Sequence, residues 1–253
     1  MEKASYDPGT PCWTDLSTPD LDGAARFYGG LFGWELEDMG EETGHYHQAT
    51  VRGLRVAGLA PAQPGGPPNA FWTTYLAGAD ADAHAAAVTA GGGTVAYGPM
   101  DVFSEGRMLI AQDPAGALFG VWEPRAHTGA QLVNEHGTLT WNELMTPDLD
   151  GATAFYGSLF DYAFDDLPEL PGGGYKLLRL GEDVVGGLYG TEDEPPNWTV
   201  YFQHDEVDAG LERARELGGR VAADPVDSAY GRWAVVQDPQ GGSFRMIQSA
   251  TPA

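Results

Sequence analysis

The stretch CWTDLST, from Cys12 to Thr18, alternates in side-chain character residue by residue, the period of a half-buried strand. Directly after it, Leu21, Ala24, Phe27, Tyr28, Leu31 and Phe32 recur at steps of three and four. That spacing gives a helix one apolar face. Asp20 stands where an N-cap is needed, and Gly33 where a left-handed residue closes a helix. Three strands are predicted next, at 34–38, 46–52 and 55–60, before a break of proline and glycine at 61–69. The plan then restarts. A strand at 71–76 leads to an alanine-rich helix over 80–90, and strands follow at 94–97, 107–112 and 118–122. Each plan reads βαβββ.

The pattern is written twice. TPDLDGA occurs at Thr18 to Ala24 and again, letter for letter, at Thr146 to Ala152. Around it, WTDLSTPDLDGAARFYGGLFGW answers WNELMTPDLDGATAFYGSLFDY. Pro67-Pro68-Asn69 answers Pro195-Pro196-Asn197, Trp72 to Tyr75 answers Trp198 to Tyr201, and Gln112-Asp113-Pro114 answers Gln237-Asp238-Pro239. The matches keep their order along nearly the whole chain, and their period is too long for a solenoid. Two domains are therefore expected, at 8–126 and 135–250, with a polar linker at 127–134. The second domain repeats the order, with its second helix over 207–217.

Composition narrows the functions. Thirteen basic against 37 acidic residues give a net charge of −24, which repels phosphate backbones and anionic membranes. Neither nucleic acid nor membrane is an expected partner. No run of 18 apolar residues occurs, the N-terminus lacks an apolar signal core, and Cys12 is the single cysteine. A reducing, cytoplasmic setting is expected. The triple-glycine runs at 91 and 172 lack a P-loop lysine and imply no phosphate cradle.

Four βαβββ units, each domain with a T-P-D corner, an FYGxLF helix end and a late DPxG turn, resemble the glyoxalase, bleomycin-resistance and extradiol-dioxygenase superfamily, also called the vicinal oxygen chelate superfamily. WxDLxTPD and FYGxLFGW are similar to a tandem-domain branch labelled hydroxylase or glyoxalase-like antigen. The resemblance implies an α+β fold of two glyoxalase-type domains in tandem, each curled into an open cup. It also implies a divalent metal held by His, Gln or Glu at three places in a cup. Those places fall here on Trp13, Thr73 and Gly120, and on Trp141, Thr199 and Arg245. None is a good ligand for a divalent cation. The expectation is a protein with no metal and no other cofactor.

Strand alternation then places Trp13 with Asp15, Trp141 with Glu143, Tyr75 with Thr73 and Tyr201 with Thr199 in the cups, and turns Trp72 and Trp198 toward the helices. An acid beside an indole is poorly solvated and its pKa should rise, which suits Asp15 and Glu143 to acid–base work. The alternative is that both lie at a wet rim or pair with Arg107 and Arg232. Those two arginines either bond to turns or meet a ligand carboxylate. His45 and His47, two apart on a predicted strand, form an improvised metal site with an acid or are exposed strand residues. Cys12 reads as a small core residue, and His127 and His136 as linker residues without a specific role. Two functions stay open. One is a binder of a flat aromatic or apolar metabolite, lined by Trp13, Thr73, Tyr75, Trp141, Thr199 and Tyr201, with Arg107 and Arg232 nearby. The other is a metal-independent lyase, isomerase or hydroxylase-type enzyme. A metal-dependent glyoxalase or dioxygenase requires other ligand positions. Tandem fusion makes a monomer viable, with a homodimer also compatible.

Overall fold

The structure, a computed structural model, describes residues 1–167 and 174–250; Gly172 and Gly173 of the second glycine run lie outside them. The first half runs β1 (Pro11–Thr18), α1 (Leu21–Phe32), β2 (Glu35–Asp38), β3 (His47–Val51), β4 (Leu54–Pro61), β5 (Phe71–Ala77), α2 (Ala81–Ala90), β6 (Thr94–Val102), β7 (Gly106–Gln112) and β8 (Leu118–Pro124). The second runs β9 (Leu139–Thr146), α3 (Leu149–Phe160), β10 (Ala163–Asp166), β11 (Tyr175–Leu180), β12 (Asp183–Gly190), β13 (Asn197–Gln203), α4 (Val207–Glu216), β14 (Arg220–Val221), β15 (Val226–Ser228), β16 (Gly231–Gln237) and β17 (Ser243–Ser249).

Each half folds into one sheet, in the orders β2-β3-β4-β1-β5-β8-β7-β6 and β10-β11-β12-β9-β13-β17-β16-β14. The first strand of each unit lies parallel to its last, as β1 with β4 and β5 with β8. The two units of a half meet antiparallel along β1 and β5, and along β9 and β13. The outer edge differs between halves. β6 is a nine-residue strand, whereas in the second half that edge is split into β14 and β15, both paired with β16.

The repeated heptad is a strand-to-helix corner. Asp20 and Asp148 each accept a hydrogen bond from the backbone N–H three residues on, at 2.9 Å. The hydroxyls of Thr18 and Thr146 accept from the backbone N–H of the same aspartates. The glycine is dictated by this cap, because a Cβ on Gly23 would stand 2.1 Å from the Asp20 carboxylate. Gly33 closes α1 at φ 70°, the left-handed end its sequence position predicts.

The helices lie between the sheets, and each half helps to cover the other. One core joins α1, Leu16, Leu59 and Trp72 to Phe202, α4 and Phe244; the other joins α2, Leu109 and Phe119 to α3, Leu188 and Trp198. Two matched hydrogen-bond chains cross the junction. Trp72 Nε1 donates to the Tyr28 hydroxyl, which donates to Asp238. Trp198 Nε1 donates to the Tyr156 hydroxyl, which donates to Asp113. The tyrosine of FYG therefore reads the aspartate of the QDP turn in the opposite half. At the centre the sheets touch directly, where buried Thr74 donates to buried Asn142 at 2.9 Å.

The segment 127–134, expected as a polar linker, is packed rather than solvated. Leu132 is fully buried in the α1 core, and His127, Ala130 and Val133 are buried against the first sheet. Leu132 joins the core shared by both halves, whereas Ala130 and Val133 pack on the first sheet, so the tether belongs to the core. No described helix is long and apolar enough to cross a membrane.

Candidate functional site

The faces turned away from the helices carry the two candidate cups. In the first, β1 and β5 set Trp13 opposite Tyr75 and Asp15 opposite Thr73. Tyr75 donates to Asp15 at 3.1 Å. Trp13 Nε1 donates to the Tyr46 hydroxyl at 3.1 Å. Two glycines make room for these rings. A Cβ on Gly58 would lie 1.6 Å from the Tyr46 hydroxyl, and one on Gly120 would lie 2.2 Å from the Tyr75 ring. The position implied for a metal-ligating glutamate is thus roofed by a tyrosine. Burial pushes the Asp15 carboxyl up to about 7, against the opposing hydrogen bond from Tyr75. Burial, and then the Asp15 charge, push the Tyr46 and Tyr75 hydroxyls up as well, so both remain protonated.

The second cup repeats the frame with a different floor. Tyr201 faces Trp141 and Thr199 faces Glu143 across β9 and β13. Trp141 Nε1 donates to the Tyr175 hydroxyl at 3.2 Å, and a Cβ on Gly187 would lie 2.0 Å from that hydroxyl. Tyr201 donates to Glu143 at 3.0 Å. Arg245 on β17 then changes the chemistry. Its Nη1 bonds Glu143 Oε2 at 2.5 Å and donates also to the Tyr201 hydroxyl. Glu143 and Arg245 are 5% and 6% exposed, so this ion pair is shielded from water. Thr199 is turned to Asn197, to which its hydroxyl donates at 2.7 Å.

Several sequence expectations need correction. Arg107 and Arg232 do not enter the cups. Each shares a strand face with residues of the helix-side cores, Leu109 and Ala111 or Ala234 and Val236. Arg107 pairs with Asp82 and Asp101, and Arg232 with Asp208 and Asp227, so each ties the start of a helix to its sheet. The partner of Glu143 is Arg245, not Arg232. His45 and His47 do not converge. His45 sits at φ 61° outside the strand and pairs with Asp38, while His47 bonds the His45 carbonyl. Cys12, by contrast, is the small buried residue its sequence position predicts, with its thiol 3.5 Å from the Tyr75 carbonyl and pushed well up by burial.

Three features escaped the sequence reading. Tyr46 and Tyr175 were legible in principle, since both precede their glycine, Gly58 or Gly187, by the same interval. His127 left no such signal. Its ring meets Trp13 edge-on at 4.4 Å and Trp122 at 5.4 Å, and among the described residues its buried Nε2 has no partner. Burial, then Arg55, depress its pKa to about 4, so it is neutral at pH 7. The sequence shows Arg245 only as a poor ligand for a metal ion.

The metal implied by the resemblance does not fit this donor set. Indole, hydroxyl and glycine stand at the three positions of the first cup, and a guanidinium stands at the third position of the second. Among the described residues, no three His, Cys, Asp or Glu side chains come together to hold an ion. Two open hollows lie away from both acids. One of about 570 Å³ is bordered by Phe32, Arg52 and His136, and one of about 460 Å³ by Tyr6, Trp141 and Val185.

Comparison with known proteins agrees with the architecture. The glyoxalase/bleomycin resistance protein/dioxygenase superfamily pattern matches residues 12–121, and a glyoxalase-like domain pattern matches residues 129–247. "Putative glyoxylase CFP32" of Mycobacterium tuberculosis is 40% identical over 260 aligned residues, covering 98% of each chain. The chain belongs to this superfamily. A further superfamily relative, the anthracycline biosynthesis protein DnrV of Streptomyces peucetius, is 37% identical and covers 96% of this chain and 94% of its own. The Mn(II)-bound glyoxalase of Novosphingobium aromaticivorans shares the fold at a TM-score of 0.65 and 18% identity, over 98% of this chain and 87% of that one. The 2,3-dioxygenase LapB of Pseudomonas sp. KL28 does so at 0.68 and 13%, over 97% and 94%.

Proposed function

We propose that this superfamily member binds a small, flat, aromatic or apolar metabolite against its aromatic-lined cups, without a resident metal ion. The observation that carries the reading is the first cup's floor. Tyr75 and Tyr46 lie over glycines, Trp13 walls the side, and one poorly solvated carboxyl, Asp15, supplies polarity. Asp15 and Tyr46 stay partly exposed while Trp13 and Tyr75 keep only 4% and 6% of their surface, so a planar ligand would meet the first pair, backed by the buried rings of the second. The Streptomyces relative is named for anthracycline biosynthesis, and anthracyclines are flat polycyclic compounds.

A second reading is favoured by the carboxyl pushed up to about 7. Asp15 would then exchange a proton with the bound compound in a lyase, isomerase or hydroxylase-type step, with Tyr75 holding its orientation. Glu143 has no such freedom, because Arg245 and Tyr201 occupy its Oε2.

Titration of tryptophan fluorescence with a soluble anthraquinone tests the binding. Saturable quenching that is unchanged by a chelator or by added manganese, iron, nickel or zinc is expected. Binding that requires one of these ions would refute the metal-free reading. Asp15→Asn separates binder from enzyme: a binder keeps its affinity, whereas an acid–base enzyme loses turnover.

A further inference from the structure

We infer that the second cup is a distinct oxygen-binding site, in which Arg245 takes the oxygen of a neutral planar ketone or quinone. This rests on the reading that the cups hold flat metabolites. It adds that the two cups take different chemistry.

The argument starts from what Arg245 leaves unused. A guanidinium carries five N–H donors in a rigid fork. Nη1 is engaged by Glu143 and Tyr201. Among the described residues, Nη2 makes a weak bond to the Met145 sulfur at 3.8 Å and a loose ion pair with Glu194 Oε1 at 3.6 Å, the latter beyond hydrogen-bond distance. Among the described residues Nε has no hydrogen-bond partner. Nε is not among the fully buried unpartnered atoms, so this edge of the fork keeps contact with solvent and can be reached by an acceptor. Aromatic surface surrounds it. The guanidinium carbon lies 4.8 Å from the Trp233 ring centroid and 5.2 Å from that of Tyr201, with Trp141 across the strand pair.

The charges select the ligand. Glu143 already offsets Arg245, and Glu194 stands at the rim with about half its side chain exposed. A carboxylate ligand would add a third negative charge around one cation, in a chain of net charge −24. A carbonyl oxygen accepts from Nη2 and Nε without adding charge. The cation that the resemblance expects as a bound metal is supplied here by the chain itself, from the position of its third ligand.

The probe is 2,3-dimethyl-1,4-naphthoquinone, which cannot add thiols at its blocked ring positions. The control is 2,3-dimethylnaphthalene, which has the same rings and no oxygen. Affinities are read from tryptophan quenching and from calorimetry. Glu194→Gln removes the carboxylate that competes for Nη2, and it is expected to tighten quinone binding about threefold while leaving the hydrocarbon unchanged. Glu143→Gln with Arg245→Met removes the cation without stranding its partner, and it is expected to weaken the quinone about tenfold. If that double variant does not fold, Glu194→Gln decides alone. Quinone affinity insensitive to these changes overturns the inference while leaving the aromatic-platform reading in place. Failure of both probes to bind anywhere overturns both.

Discussion

The floors of the two cups repeat one frame and differ most in a single partner of the acid. Asp15 and Glu143 each face a threonine, accept from a tyrosine two strand positions from it, and sit beside an indole whose Nε1 is held by a second tyrosine. Only Glu143 has an arginine. Gly120 at the matching place leaves Asp15 with burial and one hydroxyl, and its carboxyl moves up to about 7. The side chain at the third ligand position therefore separates the two acids: Glu143 is held in a buried ion pair, whereas Asp15 has a tyrosine hydroxyl as its partner. The frame that both copies share, with rings over glycines, is indifferent to that choice.

The largest effect should come from breaking the pair in the second cup. Arg245→Met leaves Glu143 buried and uncompensated, and it is expected to cost roughly 3–5 kcal/mol. That would lower the thermal midpoint on the order of ten degrees. The double variant with Glu143→Gln should recover most of it. Equal melting of single and double variants would mean that the pair is not coupled.

The first cup should answer to pH instead. The folded Asp15 pKa, about 7, lies above its ordinary value of 3.8, so the folded state binds the proton more tightly. Its contribution therefore falls as pH rises from about 4 to about 7 and then levels off. Relative to wild type, Asp15→Asn should gain on the order of 4 kcal/mol across that window. Urea midpoints at pH 4, 6 and 8 measure this. A parallel pH course for the two proteins would remove the asymmetry.

Smaller effects test what the halves hold in common. Tyr28→Phe and Tyr156→Phe each break a crossing chain and should cost about 1–2 kcal/mol apiece, nearly equally, because the junctions match. A large inequality would show that the halves diverge at their junction as well as at their floors. Smallest of all, Arg107→Ala and Arg232→Ala remove exposed ion pairs and should cost under about 1 kcal/mol without changing ligand affinity.

The elements themselves were legible because their signals are local. The 3.6-residue stripe of α1, its Asp20 cap and Gly33 stop lie within about four turns of chain, and the second copy repeats the stripe and the cap, with Asp161 at the left-handed stop. The pairs Trp13 with Asp15 and Trp141 with Glu143 follow from alternation alone. The errors arose where a side chain chose between two faces or two distant partners. Arg107 looked available until the register of β7 put it beside α2. Segment 127–134 read as polar, yet its few apolar residues are those the fold buries.

The amino-acid sequence determined the duplication, the four βαβββ units and the lack of ligating side chains at the implied metal positions, since each depends on residue identity and short-range period. Tertiary structure alone decided that each half's helices complete the other's core, that His127 packs onto Trp13, and that Arg245 answers Glu143. Those outcomes join residues far apart in the chain. Only the folded geometry, through burial and distance, fixes which charge meets which and how strongly water is excluded from them.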